Sequence, residues 1–180
     1  LARLNRLNEV PDAEDRAVEK ERAILSALEL WNVGESQPKE CDKLFSLLVT
    51  EKRIDQEIAW QRFNKALLNR QYILARYLKR YLKNQPYKEM AKRFYQASRT
   101  PGEIMQFSQF KLHNPEETAI IEHGLVHLAR KDRHSALKAW SHFQQTHQFN
   151  DSARSQVVSA IIKGLYQQDF RSIADAYFLA

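Results

Sequence analysis

Residue types that often shape protein folds are scarce in this sequence. Its 180 residues include only 4 glycines and 5 prolines, which leaves little of the turn material that joins β-strands. A single cysteine cannot build a disulfide framework within the chain. No run of about 18 apolar residues is present, so we expect no membrane span. No segment resembles a signal peptide either.

The remaining composition is that of a folded chain. With 43% hydrophobic and 28% charged residues, the sequence is neither disordered nor collagen-like. Its length allows one domain or two. Because the sequence begins at Leu1 and not at Met, we expect it to be a segment of a longer protein.

Apolar residues recur at spacings of three and four along nearly the whole chain, which predicts an all-α fold. N-caps are predicted at five short polar residues, Asp55, Thr100, Asn114, Asp132 and Asn150. The predicted helices cover residues 12–32, 38–51, 55–69, 71–83, 86–99, 101–110, 115–130, 133–147, 150–167 and 170–179. Their short connections favour an irregular superhelix of stacked antiparallel helical hairpins, similar to a tetratricopeptide solenoid.

A weak internal repeat supports this stacking. In each copy an apolar residue ends one helix, a polar residue lies in the turn, and a small or branched residue lets the next helix approach. The copies are Leu128, Asp132, Ala136 and Trp140; Leu165, Asp169, Ile173 and Tyr177; and, in part, Leu67, Gln71 and Ala75. Their separations of 61 and 37 residues are unequal, which argues against a regular repeat array.

Positive charge is concentrated in one stretch. Residues 62–99 contain eleven basic side chains and one acid, Glu89, whereas the rest of the chain has 17 basic and 21 acidic residues. Tyrosines and phenylalanine are interleaved with the bases. Such a stretch either binds an acidic polymer through charge and ring stacking or forms the solvated side of amphipathic helices. The candidate contacts for a glycan or other polyanion are Arg76, Tyr77, Lys79, Arg80, Tyr81, Lys83, Lys88, Lys92 and Arg93.

No catalytic residue, metal site or cofactor site is predicted. His123 and His127 have the helical spacing of two zinc ligands, but a third ligand is not evident and Gly124 stands where zinc peptidases have an acid. Glu35 follows Gly34 in a predicted open turn, which does not supply the desolvation that a catalytic acid needs.

Cys41 has two open interpretations. Its spacing to Phe45 and Leu48 indicates an apolar helix face, where a thiol is buried and inert. The alternative is a disulfide with a cysteine outside this chain, which requires an oxidising compartment.

Two stretches of sequence resemble a known family. ALELW at 27–31, Gly34, SQP at 36–38 and CDKLF at 41–45 followed by a serine resemble the helical ring domain of soluble lytic murein transglycosylases. AIIEHGLVHLARKDRHSALKAW at 119–140 resembles a later hairpin of the same ring. The residues taken as the structural motif are Trp31, Pro38, Cys41, Asp42, Leu44 and Phe45.

The resemblance implies a specific role. Family members are periplasmic enzymes of Gram-negative bacteria, in which a ring-like or U-shaped α-superhelix carries a lysozyme-like catalytic domain. That domain cleaves the β-1,4 bond between N-acetylmuramic acid and N-acetylglucosamine and leaves a 1,6-anhydromuramyl end. We therefore expect residues 1–180 to be a non-catalytic segment that guides peptidoglycan glycan strands and supports its own catalytic domain.

The sequence departs from the family at one point, and two alternative functions remain open. Family members commonly carry a second cysteine about thirty residues before the position of Cys41, but residues 4–8 here contain no thiol. The chain would otherwise be a tetratricopeptide-like protein interaction module with no glycan role. Nucleic-acid binding through the basic stretch is a further alternative that we do not favour, since no other feature supports it.

Overall fold

A computed structural model describes residues 12–178 of the chain, with side chains for 12–167. In this part of the chain all regular structure is helical, with eight α-helices, short 3-10 segments and no strand. The predicted all-α class is confirmed. None of the helices between 12 and 178 combines the length and the hydropathy that a membrane crossing requires. Residues 4–8, where the second cysteine is missing, lie outside the described part.

The chain divides into two compact units, Leu1–Ala91 and Lys92–Ala180, which are described here separately. Sequence analysis treats residues 1–180 as one segment, and that assignment stays a prediction.

Between residues 12 and 91, unit 1 contains four complete helices and the start of a fifth. They are α1 (Ala13–Trp31), α2 (Asp42–Thr50), α3 (Gln56–Leu68), α4 (Tyr72–Leu78) and the first turn of α5 (Tyr87–Arg99). Helix α1 packs against α2, and α3 packs against α4. These are the antiparallel hairpins that the short connections predict.

The core of unit 1 follows from the helical spacing of apolar residues. In α3, Ala59, Phe63, Ala66 and Leu67 are all fully buried and recur at spacings of three and four. The side chain of Asp55 accepts a hydrogen bond from the Ile58 amide at 2.8 Å, which confirms the predicted cap of α3. Such a cap contributes about 1 kcal/mol to helix stability.

Unit 2 continues α5 and adds α6 (Pro115–Lys131), α7 (Arg133–Thr146) and α8 (Asp151–Phe178). Helix α6 packs against both α7 and α8. At Gly164 of α8 an added Cβ would lie 2.7 Å from a backbone oxygen of α6, so the absence of a side chain permits the close approach.

Three predicted caps in unit 2 are confirmed. Asn114 accepts a hydrogen bond from the Glu117 amide at 2.8 Å. Asp132 accepts from the Ser135 amide at 3.0 Å. Asn150 accepts from the Ala153 amide at 2.8 Å. The helices that these residues begin therefore start where the sequence places them.

The predicted helix over residues 101–110 is wrong. This stretch forms two 3-10 segments, Pro101–Met105 and Phe107–Gln109, and the Thr100 side chain makes no cap hydrogen bond. Gly102 disfavours an α-helix by about 1 kcal/mol. The apolar residues Ile104, Phe107 and Phe110 recur at intervals of three, which matches the three residues per turn of a 3-10 helix.

The predicted break between helices 150–167 and 170–179 is also wrong. Helix α8 runs without interruption from Asp151 to Phe178, and Asp169 lies inside it. The second copy of the proposed repeat therefore has no turn. No glycine or proline stands near Asp169, and a residue that suits a cap does not by itself end a helix.

Candidate functional site

Unit 1 encloses a pocket of about 530 Å³. The end of α1 contributes Trp31, α2 contributes Phe45, α3 contributes Arg62, and Tyr77 of α4 and the nearby Tyr81 complete the wall. The pocket thus collects side chains from four helices that are separate in the sequence. Its volume lies within the range of about 300–1,000 Å³ that is usual for small-molecule sites.

Aromatic rings form much of the wall. Trp31 is almost completely buried, and its ring meets Phe45 edge to face at 5.3 Å and Tyr81 at 5.4 Å between centroids. The indole Nε1 of Trp31 has no hydrogen-bond partner among the described residues. Contacts of this kind contribute about 0.5–1.5 kcal/mol each beyond the area they bury. The rings therefore hold the wall rigid.

Arg62 places a positive charge in this aromatic wall. The residue is only 3% exposed, and its guanidinium carbon lies 4.3 Å from the Trp31 ring centroid and 5.2 Å from that of Phe45. Its hydrogen bond is a long one, from Nη2 to the Glu35 carbonyl oxygen at 3.4 Å. Nε has no partner in the part of the chain that the structure describes. Desolvation by burial lowers the pKa of Arg62, and the nearby Tyr77 and Tyr81 oppose that shift only in part.

Tyr77 and Tyr81 lie one helical turn apart. Their hydroxyl oxygens are 3.4 Å from each other. Burial, together with the hydrogen bond to Tyr77, raises the pKa of Tyr81 to about 12, so its hydroxyl keeps its proton at neutral pH. The guanidinium of Arg80 lies 3.8 Å from the Tyr77 ring centroid. A cation over an exposed ring contributes about 0.5–1 kcal/mol.

The exposed lining of the pocket is partly aliphatic and partly polar. Ile73 is 80% exposed and Val49 is 45% exposed, although both line the cavity. Asp42 and Ser46 add polar atoms to the lining. A ligand in the pocket therefore has aliphatic and polar side chains around it as well as the aromatic wall and Arg62.

The predicted basic contacts are distributed unevenly around this pocket. Tyr77 and Tyr81 line it, whereas Arg76, Lys79, Arg80, Lys83 and Lys88 are exposed residues of unit 1 outside its lining. Lys92 is exposed in unit 2.

Arg93 lies in a different environment from the other predicted bases. Its side chain is only 13% exposed, and Nη2 lies 3.2 Å from the Glu117 carboxylate in unit 2. The structure therefore places Arg93 in a largely buried ion pair, and it is not a free surface cation.

Half of the structural motif meets at the pocket. Trp31, Asp42 and Phe45 line it, and Leu44 is buried in the core of unit 1. Pro38 is exposed and precedes the 3-10 turn Lys39–Cys41. Cys41 is half-buried with a free thiol, so it is less enclosed than its predicted apolar face suggests. Its pairing outside the chain stays a prediction.

Arg62 is the residue that sequence analysis missed as a candidate. It counts as one of the eleven bases, yet it lies between Ala59 and Ala66 on the core-facing side of α3. An arginine at a core position of an amphipathic helix is the signal that could have found it, because unpaired arginines are rarely buried.

A second buried charge lies in unit 2. The Glu117 carboxylate accepts hydrogen bonds from the amides of Leu112 at 2.6 Å and His113 at 3.0 Å. The same oxygen lies 3.3 Å from His147 Nε2, and Arg93 makes a close ionic contact that lacks hydrogen-bond geometry. Desolvation lowers the pKa of His147, despite the opposing hydrogen bond to Glu117. This cluster fixes the segment before α6 to neighbouring helices.

The predicted histidine pair forms part of the packing in unit 2. The rings of His123 and His127 stack at 4.3 Å, and His123 Nε2 lies 3.1 Å from the Ser98 hydroxyl. Burial raises the pKa of the neighbouring Glu122. The described residues contain no group of three metal-binding side chains. In unit 1, Glu35 lies exposed in the turn after α1.

The chain resembles known proteins in its three-dimensional structure. Neither a protein-family profile nor a curated protein sequence matches the chain. Among solved structures, the lytic transglycosylase Slt of Pseudomonas aeruginosa matches 82% of this chain with a TM-score of 0.66 and 26% identity. The chain resembles a segment of a soluble lytic transglycosylase.

Two further structures share that fold. The 70-kDa soluble lytic transglycosylase of Escherichia coli matches 82% of the chain with a TM-score of 0.69 and 22% identity. A complex of the 70-kDa soluble lytic transglycosylase with bulgecin A has a TM-score of 0.70. The chain covers 24% of each of these lytic transglycosylases. The likeness confirms the family resemblance seen at residues 27–46 and 119–140.

Proposed function

We propose that this chain is a non-catalytic scaffold and glycan-guiding segment of a lytic transglycosylase that acts on peptidoglycan. The structural likeness over 82% of the chain carries this proposal. The whole enzyme would cleave the β-1,4 bond between N-acetylmuramic acid and N-acetylglucosamine and leave 1,6-anhydromuramyl products. It would act in the periplasm, with the catalytic domain of the same protein as the second partner.

The charge of unit 1 supports a peptidoglycan partner. Peptidoglycan is an acidic polymer, and the exposed cations Arg76, Lys79, Arg80, Lys83 and Lys88 would attract it over roughly a Debye length, about 8 Å at physiological ionic strength. The exposed Tyr77 ring offers a flat surface to sugar rings. Lys92 is a further candidate in unit 2, and no nucleic acid or membrane partner is proposed.

Sedimentation with purified sacculi tests this function. The 180-residue chain should be retained by the sacculi, and the retained fraction should fall as salt rises. The double variant Arg76→Glu with Lys83→Glu should lose most of that retention, because it reverses two exposed charges of the basic stretch. The matched control, Lys138→Glu with Lys163→Glu, makes the same charge change at exposed positions of unit 2 and should keep it.

Product analysis of the same mixture tests the non-catalytic assignment. The chain alone should release no soluble 1,6-anhydromuramyl fragments and should not clear a suspension of sacculi. Clearing by the purified chain would contradict the absence of a catalytic residue. Equal loss of retention in both double variants would contradict the role of the basic stretch.

A protein interaction module without a glycan role is the second candidate. Val18 and Leu25 of α1 lie seven residues apart on one helix face and are 46% and 54% exposed. Two exposed apolar side chains on one face suit contact with a partner protein. Failure of the chain to bind sacculi, combined with loss of a co-purified protein in Leu25→Glu, would favour this candidate.

A further inference from the structure

We propose that the pocket of unit 1 binds a carboxylate group against Arg62, and that in peptidoglycan this group belongs to the stem peptide. The identity of the ligand rests on the proposed function, whereas the carboxylate chemistry rests on the pocket itself. Nothing in the likeness to lytic transglycosylases assigns a ligand to this pocket.

The state of Arg62 is the first argument. The residue is 3% exposed, and no carboxylate pairs with it among the described residues. Its Nε lacks a partner, and its bond to the Glu35 carbonyl is 3.4 Å long. A buried cation is normally paired. Nε has almost no accessible surface, so a ligand anion in the pocket would pair with the terminal N–H groups, which have no carboxylate partner among the described residues.

The geometry of the wall is the second argument. The Trp31 and Phe45 rings lie against the guanidinium, so its N–H groups are what remains for a ligand. Those groups match the two oxygens of a carboxylate. Tyr77 and Tyr81 also line the pocket, and because their two hydroxyls share one hydrogen bond, the other hydroxyl proton of the pair is a further donor. The donor set therefore favours a planar anion.

The shape and the rim indicate the kind of molecule that carries the carboxylate. About 530 Å³ accommodates an amino acid or a dipeptide end, and not a glycan strand lying flat. Among the exposed lining residues, Val49 and Ile73 present aliphatic surface, which suits the methyl groups of alanine residues in a stem peptide. Asp42 in the lining disfavours ligands with several negative charges.

Calorimetric titration of the chain with four defined probes tests the carboxylate. N-acetylmuramyl-L-alanyl-D-isoglutamine has one free carboxylate, on its peptide, and should bind. Its methyl ester should bind at least about tenfold more weakly, because the charge-assisted hydrogen bonds are lost. N-acetylmuramic acid, with a lactyl carboxylate only, should bind more weakly than the peptide acid. Chitotetraose, which has no carboxylate, should not bind this pocket.

Each titration outcome has a defined meaning. Equal affinity for the acid and its ester would overturn the proposal. Tighter binding of N-acetylmuramic acid than of the peptide acid would overturn the stem peptide as the source. If the peptide acid binds and its methyl ester binds much more weakly, the result supports both the carboxylate site and the stem peptide as the source of the carboxylate.

Variants at Arg62 and at the rim locate the binding. Arg62→Gln should abolish the difference between the acid and its ester. Ile73 is exposed, so substitutions there should leave the fold intact even where Arg62→Gln fails to fold. Ile73→Lys should strengthen binding of the peptide acid and Ile73→Glu should weaken it, each by about 2–5-fold, as expected for a charge near the site.

Leu68 provides the matched control for the rim. It is 55% exposed in α3 and does not line the pocket. Leu68→Lys and Leu68→Glu should each change affinity by less than about 1.5-fold. Equal effects at positions 68 and 73 would overturn the assignment of binding to this pocket.

Different results would contradict the proposed function and the proposed carboxylate site. If sacculi retain the chain but the peptide acid does not bind, the proposed function stands and the pocket assignment fails. If the peptide acid binds with the expected ester and Ile73 effects but sacculi do not retain the chain, the pocket is a carboxylate site and the proposed function fails.

Discussion

Glu117 of unit 2 and Arg62 of unit 1 are both buried charged side chains, and the two charges have different surroundings. Glu117 of unit 2 is 0% exposed and is surrounded by two backbone amides, Arg93 and His147. Arg62 of unit 1 is 3% exposed and has ring contacts and one long hydrogen bond. A buried charge with several partners stabilises the fold. One without a counter-ion that lines a cavity is suited to a ligand.

The comparison predicts opposite responses to removal of the two charges. Truncating a group with many partners leaves those partners buried and unpaired, which typically costs about 3–5 kcal/mol. Replacing an unpaired buried charge by an apolar group of similar size removes a desolvation cost and is often neutral.

Glu117→Ala should have the largest effect. It leaves the amides of Leu112 and His113 without an acceptor and Arg93 without its carboxylate, so the free energy of unfolding should fall by about 3–5 kcal/mol. Urea unfolding monitored by circular dichroism measures this change.

The neighbouring Glu116 provides the control. Glu116→Ala removes an acid from the same first turn of α6 and should lose less than about 1 kcal/mol. If the two variants were equally stable, the cluster around Glu117 would not be a structural element and the comparison would fail.

Gly34→Ala should have the next largest effect, in unit 1. An added Cβ would lie 2.7 Å from the backbone oxygen of Lys65 and 2.7 Å from the Asn69 side chain, so the turn that carries Glu35 would have to move. We expect a loss of about 1–3 kcal/mol and weaker binding of any ligand near Arg62. Thermal unfolding and titration measure both effects.

Gly102→Ala is the matched control, because nothing lies within 4 Å of the added Cβ. It should be neutral, or stabilising by up to about 1 kcal/mol. A greater loss at position 102 than at 34 would contradict the close contact of the Gly34 turn with α3.

Arg62→Met should change the free energy of unfolding by less than about 1 kcal/mol, since the apolar side chain fills similar volume without a charge to desolvate. The ring contacts and the bond to the Glu35 carbonyl are lost, which offsets part of the gain. Urea unfolding beside Glu117→Ala tests the comparison directly. A loss above about 3 kcal/mol in Arg62→Met would mean that Arg62, too, is essential to the fold.

The pH dependence of stability should give the smallest effect. Desolvation lowers the pKa of His147 below its ordinary value of 6.5, so the unfolded chain binds a proton more readily than the folded one. Stability from this group is fully present above pH 6.5 and falls as the pH drops toward the lowered value. Glu117, His113 and His142 face the same ring and also contribute.

The variant His147→Gln isolates this contribution. Between about pH 7.5 and 5 its stability should fall less steeply than that of the unaltered chain, by under about 1 kcal/mol. His134→Gln, at an exposed position of α7, should keep the original slope. If stability fell equally steeply with pH in both variants, the assignment of this pH dependence to His147 would be wrong.

Patterns among neighbouring residues in the sequence predicted most helices but did not predict the pocket. Asp55, Asn114, Asp132 and Asn150 cap helices as predicted, because a cap depends on residues within one turn. Asp169 suggested a break that does not occur, since nothing near it opposes a continuous helix. The helix predicted after Thr100 rested on apolar spacings of three and four taken together, whereas Ile104, Phe107 and Phe110 recur strictly every three residues, which is the period of a 3-10 helix.

The pocket escaped prediction for a different reason. Trp31 and Phe45 belong to the motif that carries the family resemblance, and Tyr77 and Tyr81 belong to the basic stretch, so they formed two separate groups in the sequence. Packing of four short helices brings them together around Arg62. The spacing of residues along the sequence does not show which distant side chains meet in the fold. The sequence did show one sign of the site, an arginine between Ala59 and Ala66 of α3.

The contrast between the enclosed base of the pocket and its open mouth has a consequence for protein engineering. Trp31 and Arg62 are part of the core, whereas Val49 and Ile73 are solvent-facing side chains that touch the cavity. Libraries varied at positions 49 and 73 alone should therefore retune ligand selectivity on an unaltered framework, and the same two positions offer attachment points for a fluorescent reporter.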